Sequence, residues 1–199
     1  MRFTFGIITS GGSMVPTIIK SIKDNVLNPE IVVVGGSPIS GVKYIPFDEN
    51  VRKGWITRKK NIITQEASNE NIVYMHDYLV LSDGWYAGFL KFGGDFNVCM
   101  NVITNLDGTR YRDWVTWDDP DVGLKRVDYS YTKTQFMYIS GAYWVAKKSF
   151  MEASPLDERI CWGKGEDVEW SKRIRDKCKY VMNPYSEVKM LKQKEVIAS

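Results

Sequence analysis

The sequence predicts a three-layer α/β/α domain built on a mostly parallel sheet. Three observations carry this expectation. In the first half, short runs rich in valine and isoleucine alternate with amphipathic helical stretches, the rhythm of crossover units that make parallel sheets. The apolar runs are continuous rather than alternating, as in strands covered on both faces. The chain has 199 residues, 44% of them hydrophobic. That is enough to bury about 70% of the unfolded surface without disulfide staples, and it fits one domain spanning residues 1–199.

The elements follow in order. Phe3 to Thr9 is apolar and β-branched, a first strand, ending in Ser10-Gly11-Gly12. Ser13 is a candidate cap for the next helix, with Pro16 in its first turn. That helix carries Ile18, Ile19, Ile22 and Val26 at helical spacing and stops near Asn28-Pro29. Glu30 to Val34 is a second strand, closed by Gly35-Gly36-Ser37, and Val42 to Phe47 a third, closed by Asp48-Glu49. Gly54 to Ser68 reads as a helix with Ile56, Ile63 and Ala67 on one face. Asn71 to Met75 is a fourth strand, closed by His76-Asp77. In open α/β sheets ligands bind beyond the carboxyl ends of the strands, so these four closures line the expected binding edge. Residues 1–95 carry this rhythm and residues 96–199 do not; in the family resemblance described below the two stretches would be a nucleotide-binding half and an acceptor and catalytic half.

The second half loses the rhythm. Phe96 to Thr104 and Gln135 to Ala146 read as longer strands. Asn105 to Tyr131, rich in Asp, Trp, Tyr and Arg, reads as one long loop. A stretch of that length without structure is usually functional or mobile. With its tryptophans it suggests a flap that orders over a bound ligand, which under the resemblance below would be an acceptor-side flap over the donor. A short helix spans about Lys148 to Ala153. Trp162-Gly163-Lys164-Gly165-Glu166-Asp167 opens another helix, to about Lys177, and Tyr180 to Met182 and Glu187 to Leu191 are closing strands.

Charge and composition exclude several classes. Lys plus Arg is 27 and Asp plus Glu is 24, a net +3, too balanced for a nucleic-acid binder. One histidine, His76, excludes a site built mainly from imidazoles. The cysteines, Cys99, Cys161 and Cys178, are odd in number and lack metal or redox spacing, which points to a reduced, cytoplasmic setting. No secretory leader is evident, and no apolar run approaches the ~20 residues of a membrane span.

Several residues carry two readings. Glu166 and Asp167 suit the positive end of a helix dipole. Asp167, Trp170 and Ile174 also fall at i, i+3 and i+7, which predicts an inward Asp167, with Glu166 turned away and Glu169–Arg173 an outward pair. An inward carboxylate beside tryptophan is desolvated, which raises its pKa and suits a general base. Gly163 and Gly165 would let this loop approach a substrate closely. Arg58, Asn61 and Gln65 share a helix face that is either solvated or functional. Thr9, Ser10 and Gly11 either present backbone amides to a ligand or simply make a tight turn. His76 and Asp77 either finish a strand or meet a ligand. Trp114, Trp117 and Trp162 sit in expected loops, where a ring stacks on a sugar face or packs in a core. Asp118-Asp119-Pro120-Asp121 reads as a solvated turn in preference to a cation site.

Taken in order, the pieces Phe5 to Ser10, Arg58 to Asn61, Val73 to Trp85, Ser140 to Ala142 and Asp157 to Arg173 resemble the GT-A fold of nucleotide-sugar-dependent glycosyltransferases, nearest the family 2 type. The resemblance implies transfer of a sugar from a nucleotide-diphosphate donor to a hydroxyl on a glycan or other acceptor, by inversion with a carboxylate base. It implies Asp167 as that base with Glu166 beside it, and Gly141, Trp162 and Gly165 near the substrate. It implies Arg58 and Asn61 facing the nucleotide, and Asp77 beside a Mg²⁺ or Mn²⁺ that bridges the diphosphate. The family's acidic pair is reduced here to one carboxylate, in His76-Asp77-Tyr78, and its late histidine ligand is absent, leaving Lys189 to neutralise phosphate. Two other expectations stay open. One is a binding module that kept the fold without catalysis. The other is a sugar-phosphate nucleotidyltransferase, whose glycine-rich start Gly11-Gly12, Pro16 and Lys20 resemble without its arginine.

Overall fold

The structure, a computed structural model, describes residues 1–195. Its main sheet has eight strands in the order β3-β2-β1-β4-β10-β6-β11-β5. The first four are β1 (Phe3–Ile8), β2 (Glu30–Val34), β3 (Lys43–Ile45) and β4 (Asn71–His76), all parallel. The rest are β5 (Leu79–Leu81), β6 (Val98–Thr104), β10 (Tyr143–Lys147) and β11 (Tyr180–Met190). β6 and β11 are parallel, β10 runs antiparallel between β4 and β6, and β5 antiparallel on β11. The two closing strands expected from the sequence are one strand, β11, with a register shift between Asn183 and Glu187. Through β10 both halves of the chain share one sheet.

Helices cover both faces. On one, α3 (Trp85–Phe92) packs Trp85 and Phe89 against Phe3 of β1, with ring centroids 5.1 and 5.0 Å apart. α1 (Val15–Asn25) joins it, Asn25 accepting from the Trp85 amide at 3.2 Å. Pro16 lies in its first turn as expected, but no side chain caps it, Ser13 included. On the other face lie α2 (Ile56–Glu66), α4 (Lys148–Ala153) and α5 (Glu166–Ile174). There Tyr74 of β4 stacks on Trp144 of β10 at 4.7 Å, and Trp144 meets Trp170 of α5 at 6.3 Å. Aromatic pairs of this kind add about 0.5–1.5 kcal/mol each beyond their area. β5 and α3 are elements that the sequence pattern does not predict. Among the described residues no helix is long and apolar enough to cross a membrane.

The expected long loop is folded. β7 (Val115–Asp119) and β8 (Gly123–Arg126) form a hairpin, and β7 also pairs with β9 (Met137–Tyr138), giving a second sheet of three strands. The expected strand from Gln135 to Ala146 is accordingly a 3₁₀ turn, β9 and β10. A polar hub holds the segment. Asp113 is fully buried and accepts from Arg110 Nε at 2.7 Å, Tyr129 Oη at 2.7 Å and the Ile103 amide at 3.3 Å. Trp114 is 2% exposed and donates to the Tyr131 carbonyl, while Trp117 is 41% exposed. The segment around Trp114 thus carries secondary structure where a structureless loop was expected. Buried polar pairing, which has no period in sequence, orders it.

Asp113→Ala would leave three donors without an acceptor, and we expect it to cost ~3 kcal/mol in denaturant unfolding. Asp113→Asn, which keeps an acceptor oxygen, would cost less. An alanine variant within ~0.5 kcal/mol of the parent would show that the hub does not hold this segment.

Candidate active site

The site lies at the carboxyl ends of β1 and β4 and at the turn that enters β10. Thr9 organises the first corner. Its Oγ1 accepts from the Gly11 and Gly12 amides at 3.0 and 3.1 Å and donates to Asp77 Oδ2 at 2.6 Å. Lys59 of α2 donates to the Thr9 carbonyl at 2.6 Å and pairs with Glu49, which also accepts from Ser10 Oγ at 3.2 Å. Thr9, Ser10, Gly11 and Asp77 therefore do come together. A small cleft of about 240 Å³ opens beside them, lined by Thr9, Gly11, Gly12, Gly36 and Ser37.

The second corner is the carboxylate pair. The α5 N-terminus follows Gly165, which sits at φ 71°, a left-handed conformation that a side chain rarely adopts. Asp167 Oδ2 accepts from the Gly141 amide at 3.2 Å, and Oδ1 from the Val168 amide at 2.9 Å. A Cβ on Gly141 would stand 3.0 Å from both Asp167 Oδ2 and Glu166 Oε1, so only glycine fits between the carboxylates without displacing them. The expected helix register needs correction. Glu166, not Asp167, shares the buried face with Trp170 and Ile174, at i, i+4 and i+8. The expected outward Glu169–Arg173 pair is present at 2.8 Å.

The reason is Lys60, which sequence reading left inside a charge run. Its Nζ is buried, donates to the Gly141 carbonyl at 2.9 Å, lies 3.9 Å from Glu166 Oε1 and sits 4.5 Å above the Trp144 ring. A buried cation recruits the nearest carboxylate. Burial pulls the Lys60 ammonium down to about 8, against the opposing pull of Glu166 and Asp167. Burial likewise raises the Glu166 carboxyl, with Lys60 opposing it. His76 is held well below the usual imidazole range, by burial first and then by Lys60 and Lys194, so it is neutral at pH 7.

Between these groups runs a cleft of about 340 Å³. Glu166, Asp167, Gly141, Trp162, Gly163 and Gly165 line it, together with His76, Tyr78, Tyr111, Arg112, Trp117 and Lys194. Trp162 is 70% exposed and free to meet a ligand. Three expected residues are engaged elsewhere. Arg58 pairs with Glu158 at 3.0 Å, and Asn61 bonds Glu158 and both polar backbone groups of Leu156. They clamp the segment before α5 onto α2, while Lys59 and Lys60 between them point to the site. Lys189 is exposed on β11, in register with Val80 and Thr104, and does not line the cleft. Lys194, five residues later, takes that place, with nothing in the sequence to distinguish it from its neighbours.

Asp77 offers a divalent cation one carboxylate, one oxygen of which already accepts from Thr9. Among the described residues no group of three or more His, Cys, Asp or Glu side chains is placed to hold a metal ion. Mg²⁺ is held by one or two carboxylates together with waters and substrate phosphates rather than by an all-protein cage, so Asp77 is the side chain that would ligate it here, with the donor diphosphate supplying further oxygens.

The Lys60 geometry has a pH signature. Between about pH 8, where the folded protein releases the proton, and the usual 10.5 of an unfolded lysine, the unfolded chain binds more protons. Stability contributed by this group therefore rises with pH across that window, by up to ~1.4 kcal/mol per unit. Denaturant unfolding at pH 7.5, 8.5 and 9.5 should show a steeper rise in the parent than in Lys60→Met. Equal slopes would mean that the ammonium is not desolvated.

No protein-family model matches the chain, and no curated protein matches it in sequence. Solved structures do match in shape. GalNAc-T7 with UDP, GalNAc and Mn²⁺ superposes with a TM-score of 0.71 at 17% identity, over 96% of this chain and 44% of that one. S. aureus TarS 1–349 in complex with UDP-GlcNAc gives 0.66 at 10% identity, over 98% of this chain and 59% of that one. The same protein with UDP gives 0.63 at 12%, over 96% and 61%. This chain thus spans about half the length of the structures it resembles. At these identities the likeness establishes architecture: the chain has the GT-A fold of nucleotide-sugar glycosyltransferases.

Proposed function

We propose that the chain transfers a sugar from a nucleotide-diphosphate donor to a hydroxyl acceptor, with inversion at the anomeric carbon. The observation that carries this reading is the cleft at the strand ends, with Glu166 and Asp167 on it together with Arg112 and Lys194. Acid and base groups facing the same space suit a reaction that takes a proton from one partner and releases an anion from the other. Asp167 takes the proton of the acceptor hydroxyl. The acceptor oxygen attacks the anomeric carbon from the face opposite the diphosphate, and the bond to the diphosphate oxygen breaks with its electron pair. Asp167 is held for this by the Gly141 amide, and Glu166 is neutralised behind it by Lys60. The Thr9–Asp77 corner and its small cleft receive the nucleotide side of the donor. Trp162 offers an exposed ring to a sugar face. The UDP-sugars in the similar structures make uridine donors the first to try.

A panel of nucleotide sugars tests the reading by donor hydrolysis and by transfer to simple glycan acceptors. Asp167→Asn should lower turnover by ~10²–10⁴-fold with donor binding nearly unchanged. Glu166→Gln should act mainly through stability, by leaving Lys60 without its anion. A larger turnover loss from Glu166→Gln than from Asp167→Asn would transfer the base to Glu166. Donor binding without turnover of any sugar would favour a binding module, the reading that the single carboxylate at Asp77 supports. Pyrophosphate release from a nucleoside triphosphate would favour a nucleotidyltransferase.

A further inference from the structure

Three cations gather at one side of the cleft, Arg112 and Lys194 lining it and Lys192 beside them on Tyr78. Lys194 Nζ donates to Tyr78 Oη at 2.7 Å and lies 4.3 Å from the centre of that ring. Lys192 Nζ lies 3.7 Å from the same ring centre. The Arg112 guanidinium and Lys194 both approach Tyr111, at 5.7 and 5.9 Å from its ring. Among the described residues none of the three is paired with a carboxylate. Arg112 Nε is buried without any hydrogen-bond partner. The segment is anchored rather than trailing. Asn105 bonds the Lys194 amide at 3.1 Å and its carbonyl at 3.0 Å, and Gln193 donates to Asp107 at 2.9 Å. Burial, with Lys192 and Arg112 adding to it, pulls the Lys194 ammonium down to about 8.

Cations brought together with no anion between them repel, and an orphaned buried guanidinium N–H is costly. Both costs vanish when a multiply charged oxyanion enters. A guanidinium fork flanked by two ammonium groups is the donor set for phosphate oxygens. We propose that Arg112, Lys192 and Lys194 form a diphosphate subsite that counter-charges the departing nucleoside diphosphate, where Asp77 alone offers a carboxylate to a cation. This rests on the transferase reading above for the identity of the ligand, but its anion chemistry is testable alone. As the bond to the anomeric carbon breaks, negative charge grows on the diphosphate oxygen, and fixed cations there stabilise that charge without reorganising.

The test is calorimetric titration of the full chain with inorganic pyrophosphate in EDTA, at pH 7 and low salt. The parent should bind. Arg112→Gln and Lys194→Gln should each weaken binding by about tenfold or more. Lys192→Gln, at an exposed position that cannot unfold the protein, should weaken it as well, and Lys125→Gln, on the exposed hairpin strand β8, should leave it unchanged. The subsite is overturned if the parent binds pyrophosphate only with Mn²⁺ and loses that binding in Asp77→Asn, while the Arg112 and Lys194 variants bind like the parent. Donor turnover in Mn²⁺ by a chain that ignores pyrophosphate in EDTA would overturn the subsite and keep the transferase. Pyrophosphate binding as expected, with no turnover of any donor, would do the reverse.

Discussion

A single buried ammonium organises the strand-end site of this fold. Lys60 leaves α2 and enters the interior, where the Gly141 carbonyl, the Glu166 carboxylate and the Trp144 face surround its Nζ. Removing a lysine charge from water costs several kcal/mol unless it is matched, so the groups around it are not free to vary. Gly141 must approach closely enough to give its carbonyl to Lys60 and its amide to Asp167. Glu166 must turn inward, which sets the rotation of α5 and leaves Asp167 at the cleft. One peptide thus joins a helix on one side of the sheet end to the first turn of another, and the carboxylate pair acquires a fixed geometry before any substrate arrives. Preorganisation of this kind is what electrostatic catalysis requires.

The cleft is polar in two senses. One part carries carboxylates, anchored by Lys60 and Gly141. The other carries Arg112 and Lys194, anchored through the segment Asn105 to Thr109 and the hub at Asp113. Each part gathers residues distant in sequence, Lys60, Gly141 and Glu166 on one side and Arg112 and Lys194 on the other. The small second sheet earns a functional place by this route: it fixes Arg112, which follows a turn tied to the Asp113 hub. A region expected as one long loop instead carries the second sheet and the Asp113 hub beside one side of the site.

The sheet was legible in the sequence because its signals are apolar and periodic. β2 and α4 have the bounds expected of them, and β1, β4 and α2 differ by a residue or two at their ends. What stayed hidden is held by polar pairing. Arg58 and Asn61 were expected at the nucleotide, but Glu158, a hundred residues away, captures Arg58. Glu166 was expected to turn away because Asp167, Trp170 and Ile174 fall at i, i+3 and i+7, whereas the buried Lys60 draws Glu166 onto the inner face. Lys189 was expected at the phosphate because it lies where the resembled family carries a late histidine, whereas the alternation of β11 turns it to the exposed side. Thr9 and Asp77 stand at strand ends and Asp167 at a helix start, positions the sequence marks with glycine and polar residues.

The most direct measurement is a crystal structure of the chain with an unhydrolysable uridine diphosphate sugar. The account predicts the nucleoside beside Thr9 and Gly36, the diphosphate oxygens within hydrogen-bond distance of Arg112 and Lys194, and the anomeric carbon open to Asp167. A diphosphate bound away from this cleft, or one whose sugar is shielded from Asp167 by the protein, would contradict it.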